Sequence, residues 1–147
     1  MTEPSVELQA WIVGIVEADA TLMGQIAGIY DSIPENPYGV RSTYISFGPE
    51  FVDEYTADCL KRQGNVVQLD VWSKAVGRVE CKQVCARLKS LIEGTDLQLT
   101  TFSGLSPNLV LQRVVGDPQD GVTHGVLQFR FEIETPAWHP QQVSIRA

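Results

Sequence analysis

The chain has 147 residues, 44% hydrophobic and 20% charged, with a formal net charge of −7. That length supports one domain with a real apolar core and no need of disulfides or a metal. The balance is too apolar for a disordered chain and too acidic for a general nucleic-acid binder, which needs clustered Lys and Arg against phosphates.

No apolar run is long enough to cross a bilayer. The opening MTEPSVELQA carries Glu3 and Glu7 and no basic segment, which is not the pattern of a secretory signal. Cys59, Cys81 and Cys85 form an odd, sparse set, expected as reduced thiols in a cytosol.

Residues 4–19 read as a helix. Pro4 suits a first turn, and Leu8, Trp11, Ile12 and Ile15 make one apolar stripe. A weaker helical pattern over 19–29 is interrupted by Gly24 and Gly28, and a turn-rich passage follows from Tyr30. Residues 40–47 suit a strand with Thr43, Ile45 and Phe47 on one face. The stretch 48–64 has no clean period and reads as a long loop, a kind that is usually functional or mobile.

Residues 65–73 alternate, with Val67, Leu69 and Val71 facing one way and Trp72 the other. A second helix spans 79–92, with Val84, Leu88, Leu91 and Ile92 as its stripe, Cys81 and Cys85 beside it, and Gly94 as its C-cap. Residues 97–102 and 108–115 read as strands, and GDPQDG at 116–121 as a hairpin turn. The last strand, 126–134, alternates strictly: Leu127, Phe129, Phe131 and Ile133 against Gln128, Arg130, Glu132 and Glu134. After Pro136 an irregular tail, 136–147, carries Trp138 and His139. This order predicts an α+β fold in a single domain over 1–147, mainly antiparallel sheet with two principal helices packed on one face.

Chemistry is sparse. Cys81 and Cys85 sit at i, i+4, but a structural zinc needs four ligands, and Cys59, His124 and His139 are far away in sequence; core packing is the expected role. Neither histidine lies in a motif that would pair it with a nucleophile. There is no phosphate-binding glycine motif. Glu132 and Glu134 share a solvated strand face. No catalytic, metal or cofactor residues are predicted, and no cofactor. The acidic segment with Glu50, Phe51, Asp53, Glu54 and Tyr55 reads first as a solvated, mobile connection; as the candidate interface it is a docking arm with Phe51 and Tyr55 as anchors, joined by Trp138 of the tail, which packs either on the domain or on a neighbouring subunit.

Several segments in order resemble the phage tail completion and tail terminator family, which also occurs in prophages and gene transfer agents. They are Ala18-Asp19-Ala20-Thr21-Leu22, Ile29-Tyr30-Asp31-Ser32-Ile33-Pro34, Tyr44-Ile45-Ser46-Phe47-Gly48, Leu69-Asp70-Val71-Trp72-Ser73 with Gly77, and His124-Gly125-Val126-Leu127 within the closing strand. The likeness runs roughly from Leu8 to Glu134; the stretch 48–64 and the tail are longer than the family pattern. The resemblance implies a non-enzymatic virion protein, assembled in the bacterial host cytoplasm and sited at the head-proximal end of the tail. It implies a ring homo-oligomer, typically a hexamer, that ends tube growth. Its partners would be the tail tube protein and the head-completion or connector protein. DNA would pass through without specific binding, and no membrane is involved. An acidic lumen would repel DNA phosphates, and Glu50, Asp53 and Glu54 are the candidates for the ring face or lumen. Two other readings compete: a small non-viral α+β adaptor module, and an enzyme using His124 with Cys81 or Cys85.

Overall fold

The computed structural model describes residues 3–57, 60–117 and 121–135. Pro4, which has no N–H to leave unsatisfied, opens helix α1 (Pro4–Ala18). Its buried stripe is Leu8, Trp11, Ile12 and Val16. Val16 completes the stripe, and Ile15 is only half-buried. Asp19 then interrupts the helical backbone and caps the short α2 (Ala20–Met23), its carboxylate accepting from the Leu22 N–H at 2.9 Å. The same carboxylate takes two hydrogen bonds from Arg87 on α3 (Val79–Gly94). Asp19 therefore ties the α1–α2 corner to the third helix.

Among the described residues six strands make one mixed sheet that curls as a half-barrel: β1 (Ile29–Tyr30), β2 (Thr43–Ala57), β3 (Leu60–Ser73), β4 (Ser103–Gly104), β5 (Asn108–Asp117) and β6 (Val122–Thr135). The order is β1-β2-β3-β6, and β4 and β5 share the far edge of β6. Among the described residues only β1 and β2 run parallel. The α+β expectation holds, with α1 and α3 covering one face.

The expected loop at 48–64 is instead strand. β2 and β3 stay paired from Thr43↔Ser73 to Ala57↔Leu60, a long antiparallel hairpin. A bulge hides it. Phe47 pairs with Leu69 and Glu50 with Val67, so Gly48 and Pro49 together oppose Gln68. The extra residue reverses which positions face the helices, and the period is lost there. A Cβ on Gly48 would lie 2.5 Å from Asp70 Oδ2 and 2.8 Å from Gln68 Nε2, so a larger residue there would push the Asp70 and Gln68 side chains aside. Residues 97–102 are also corrected. They form no strand; Leu97, Leu99 and Phe102 reach the core from irregular backbone. Gly94 is the last helical residue rather than the cap. Thr95 caps α3, its Oγ1 donating to the Leu91 carbonyl at 2.7 Å.

The core lies between the helices and the sheet rows Ile45–Val71–Gly125, Leu69–Leu127 and Val67–Phe129, continuing to Phe131 and Ile133. Trp11 meets Phe131 edge-on, ring centroids 6.1 Å apart. Cys81 and Cys85 are fully buried where α3 crosses β6. Contact with Cys81 and burial push the Cys85 thiol up, so it stays protonated. A Cβ on Gly125 would lie 2.6 Å from Cys85 Sγ, so this glycine sets how closely α3 can approach.

Gly125→Ala should cost about 1–3 kcal/mol by overpacking, and Cys85→Ala in the same chain should recover part of it; urea unfolding of the single and double variants checks this. Arg87 holds the Asp19 carboxyl below the usual carboxylate range. The stabilisation is therefore complete above about pH 4, the unfolded value, and is lost as pH falls through the lower folded value. Asp19→Asn should lower stability at neutral pH and flatten that acid limb in a thermal-melt series.

Candidate functional surface

The sheet face away from the helices carries an organised surface. Alternation on β3 and β6 sets Trp72 beside His124, Gln68 beside Gln128, and Val66 beside Arg130. The His124 ring stacks on Trp72 with centroids 3.8 Å apart and planes 10° from parallel. Tyr44 of β2 lies on the other side of Trp72, and Tyr38 meets Tyr44 edge-on at 4.9 Å. Burial pushes the Tyr38 and Tyr44 phenols up, so both remain neutral donors.

Polar groups lace the same face. Asp70 Oδ1 lies 2.7 Å from His124 Nε2 and accepts from Gln68 Nε2 at 2.9 Å. Gln128 donates to Gln68 at 2.9 Å, and Trp72 Nε1 to Ser46 at 3.0 Å. An ionised Asp70 can only accept, so the His124 nitrogen facing it carries a proton. Sequence reasoning missed this cluster. Asp70 and His124 are 54 positions apart, and only the strand register brings them together.

The contacts of the cluster link β3 to β6. His124 spends Nε2 on Asp70 and one ring face on Trp72. The buried cysteines meet Gly125, on the helix-covered face, so the sheet separates them from His124. The reading of a His124–cysteine enzyme is overturned by this geometry. Among the described residues no group of three or more acidic, histidine or cysteine side chains is placed to hold a metal.

The candidate interface residues occupy the outer half of the β2–β3 hairpin. Glu50 is anchored at the bulge, accepting from Ser5 Oγ at 2.7 Å and Asn65 Nδ2 at 3.1 Å. Phe51 is 60% exposed, and Val52 beside it is exposed too. Asp53 pairs with Arg130 at 3.0 Å across Gly64, where a Cβ would collide with the guanidinium. Glu54 makes a loose pair with Lys61 at 3.6 Å, both largely exposed. Desolvation and the Glu132 carboxylate push the Tyr55 phenol up. Glu50, Phe51, Asp53, Glu54 and Tyr55 thus share one strand rather than a mobile arm. Trp138 lies outside the described residues.

The opposite end of the ribbon has a different character. A cleft of about 820 Å³ lies between the segment before β2, the β3–α3 connection and the start of α3. Val40 and Val76 on its walls are fully exposed, and Val79 is largely so. Arg41 and Lys74 line the cleft, Arg78 lies just beyond, and Lys82 is exposed on the first turn of α3. Glu80 is occupied locally, accepting from the Ser42 and Thr43 hydroxyls.

The chain matches the family model described as tail completion protein gp17 over residues 10–134, and it belongs to that family. Membership places it among the structural proteins of virion tails. The fold is similar to a chain of the virion of a native gene transfer agent particle. That match has a TM-score of 0.78 and 23% identity over 92% of this chain and all of the other. It is also similar to the bacteriophage SPP1 gp17 protein, with a TM-score of 0.56 and 23% identity over 86% of this chain and 88% of the other. No curated protein sequence gives a significant match.

Replacing Asp70 by Ala strips two partners from a half-buried network. It should cost about 1–3 kcal/mol in chemical unfolding, with altered Trp72 fluorescence in the folded state.

Proposed function

We propose that this chain is a tail terminator: a ring of copies, six in number, that caps the head-proximal end of the tail tube, stops its growth and presents a docking surface to the head connector. The observation that carries the reading is family membership across residues 10–134, covering the helices and the sheet together. The fold match to a whole chain of a gene transfer agent virion supports assembly into a particle.

The physics of the chain is compatible with that role. Its polar side chains on the open sheet face bond chiefly to one another. What is left for partners is shape, charge and free strand edges. Among the described residues, no strand pairs with the outer edge of β2 beyond the bulge, since β1 reaches only Ile45 and Ser46. Each copy brings a net charge of −7, so acidic surface facing a lumen would keep DNA from sticking. Closed rings of identical subunits need two different patches that fit each other, and a single small domain can carry both. The non-viral adaptor reading has no support once the family is known.

Electron microscopy of particles made without this gene tests the reading. Overlong, headless tail tubes are expected. Tubes of normal length beside filled but unattached heads would replace length control with joining alone. Intact infectious particles would sink a tail role.

A further inference from the structure

We propose that the two ends of the β2–β3 ribbon are the two halves of one self-interface. In this contact the acidic hairpin of one copy seats against the basic, valine-lined end of the next. The proposal rests on the ring reading above and names the surfaces that would build it.

Complementarity is the first ground. The hairpin presents Phe51 beside Asp53 on one face and Val52 beside Glu54 on the other; the carboxylates are 56% and 59% exposed, and each shares its charge with one cation of the same end, Arg130 and Lys61. The other end presents Val40, Val76 and Val79 at 99%, 104% and 66% exposure next to Arg41, Lys74, Arg78 and Lys82. Three such valines in one place are more than scattered surface residues need, and with the cations around them they suit a protein partner better than bare phosphates.

Geometry is the second ground. Glu54 pairs with Gln63, and Lys74 follows Ser73 at the far end of the same strand. That interval is roughly 30 Å of extended chain. β6 stiffens it along its length. The two patches therefore cannot meet within one molecule. Two unlike, complementary patches held apart on a rigid body make a head-to-tail contact, which closes into a ring when the rotation allows. Opposed charge would also steer the approach of copies that otherwise repel one another at −7 each.

The test is a charge exchange, read by sedimentation of the full chain alone and mixed with tail tubes assembled without it. The wild-type chain is expected to form an assembly of copies in at least one setting. Lys74→Glu with Arg78→Glu in one chain, and Asp53→Asn with Glu54→Lys in another, should each keep the wild-type circular dichroism and lower the assembled fraction at least about tenfold. Mixing the two variants should restore assembly, because each then offers the charge that the other lacks. Val76→Asp, at a fully exposed position where folding is not at stake, should reproduce the loss. Wild-type assembly by both exchanged chains and by Val76→Asp would overturn the interface and leave the ring intact. A wild-type chain that stays monomeric even on tail tubes would overturn both. Normal assembly with failure to join heads would give the patch to another virion protein and overturn the proposal.

Discussion

The pairing of β3 with β6 is the constraint on which the rest of the molecule depends. It runs unbroken from Lys61↔Thr135 to Ser73↔Thr123 and has a neighbour on both sides for most of its length. A slip of one residue would exchange the two faces of a strand. Phe129 and Phe131 would turn to water, and Arg130 would turn into the helices. The register also sets each special contact. Gly125 lies under the α3 cysteines, His124 lies on Trp72, and Arg130 crosses Gly64 to reach Asp53. Side-chain bulk on β6 and its absence at two glycines are parts of one arrangement. α3 can lie close because Gly125 is small, and the hairpin can be clamped from the open face because Gly64 is small.

Much of this was legible in the sequence wherever one face is buried and the other wet. β6 alternates because each residue's neighbours alternate between helix and solvent, and its limits were read to within a few residues. Helices α1 and α3 carry clear stripes for the same reason. The segments that carry the family resemblance include Asp19, Trp72 and the His124-Gly125 pair, and each has a physical role: a cap with an ion pair, a stacking platform, and the seat of a helix. The outer half of β2 was misread because neither of its faces is buried by the helices, so apolar Phe51 and Val52 stand side by side. The bulge at Gly48 and Pro49 shifts the phase just before them. Residues 97–102 failed in the opposite way. Their leucines pack inward, which mimics a strand, but the backbone makes no ladder. The open-face cluster could not be read at all, because Asp70, Trp72 and His124 meet only through pairing across strands.

The correction of the 48–64 segment changes what its residues can do. A mobile arm would lose conformational entropy on docking, of order 1–2 kcal/mol for each residue fixed. A hairpin already paired along its whole length loses little of that. Its exposed Phe51, Val52 and Glu54 are preorganised, and Glu50 and Asp53 are pinned by Ser5, Asn65 and Arg130. Preorganisation favours contact surfaces that must form many times in the same geometry. The Asp70–His124 pair belongs to the same logic. Its hydrogen bonds and stacking join β3 to β6 at the end of the ribbon nearest the basic patch.

Charge gives the ribbon a direction. The chain is acidic as a whole, yet Arg41, Lys74, Arg78 and Lys82 gather at one end, while the other end sets Glu50, Asp53 and Glu54 against Arg130 and Lys61. Because exposed charges are screened beyond about 10 Å at moderate salt, the two ends, roughly 30 Å apart, act as separate poles rather than cancelling. Uniformly acidic copies would repel one another wherever they touched, and uniformly neutral ones would have no preferred approach. A chain with a net charge of −7 and one basic pole can repel most surfaces while accepting one. In the proposed interface that combination would keep free copies apart in the wrong orientations and leave apolar matching between the valines and Phe51 to hold the correct one. The open sheet face between the poles has already satisfied most of its polar side chains internally, so it competes with neither end.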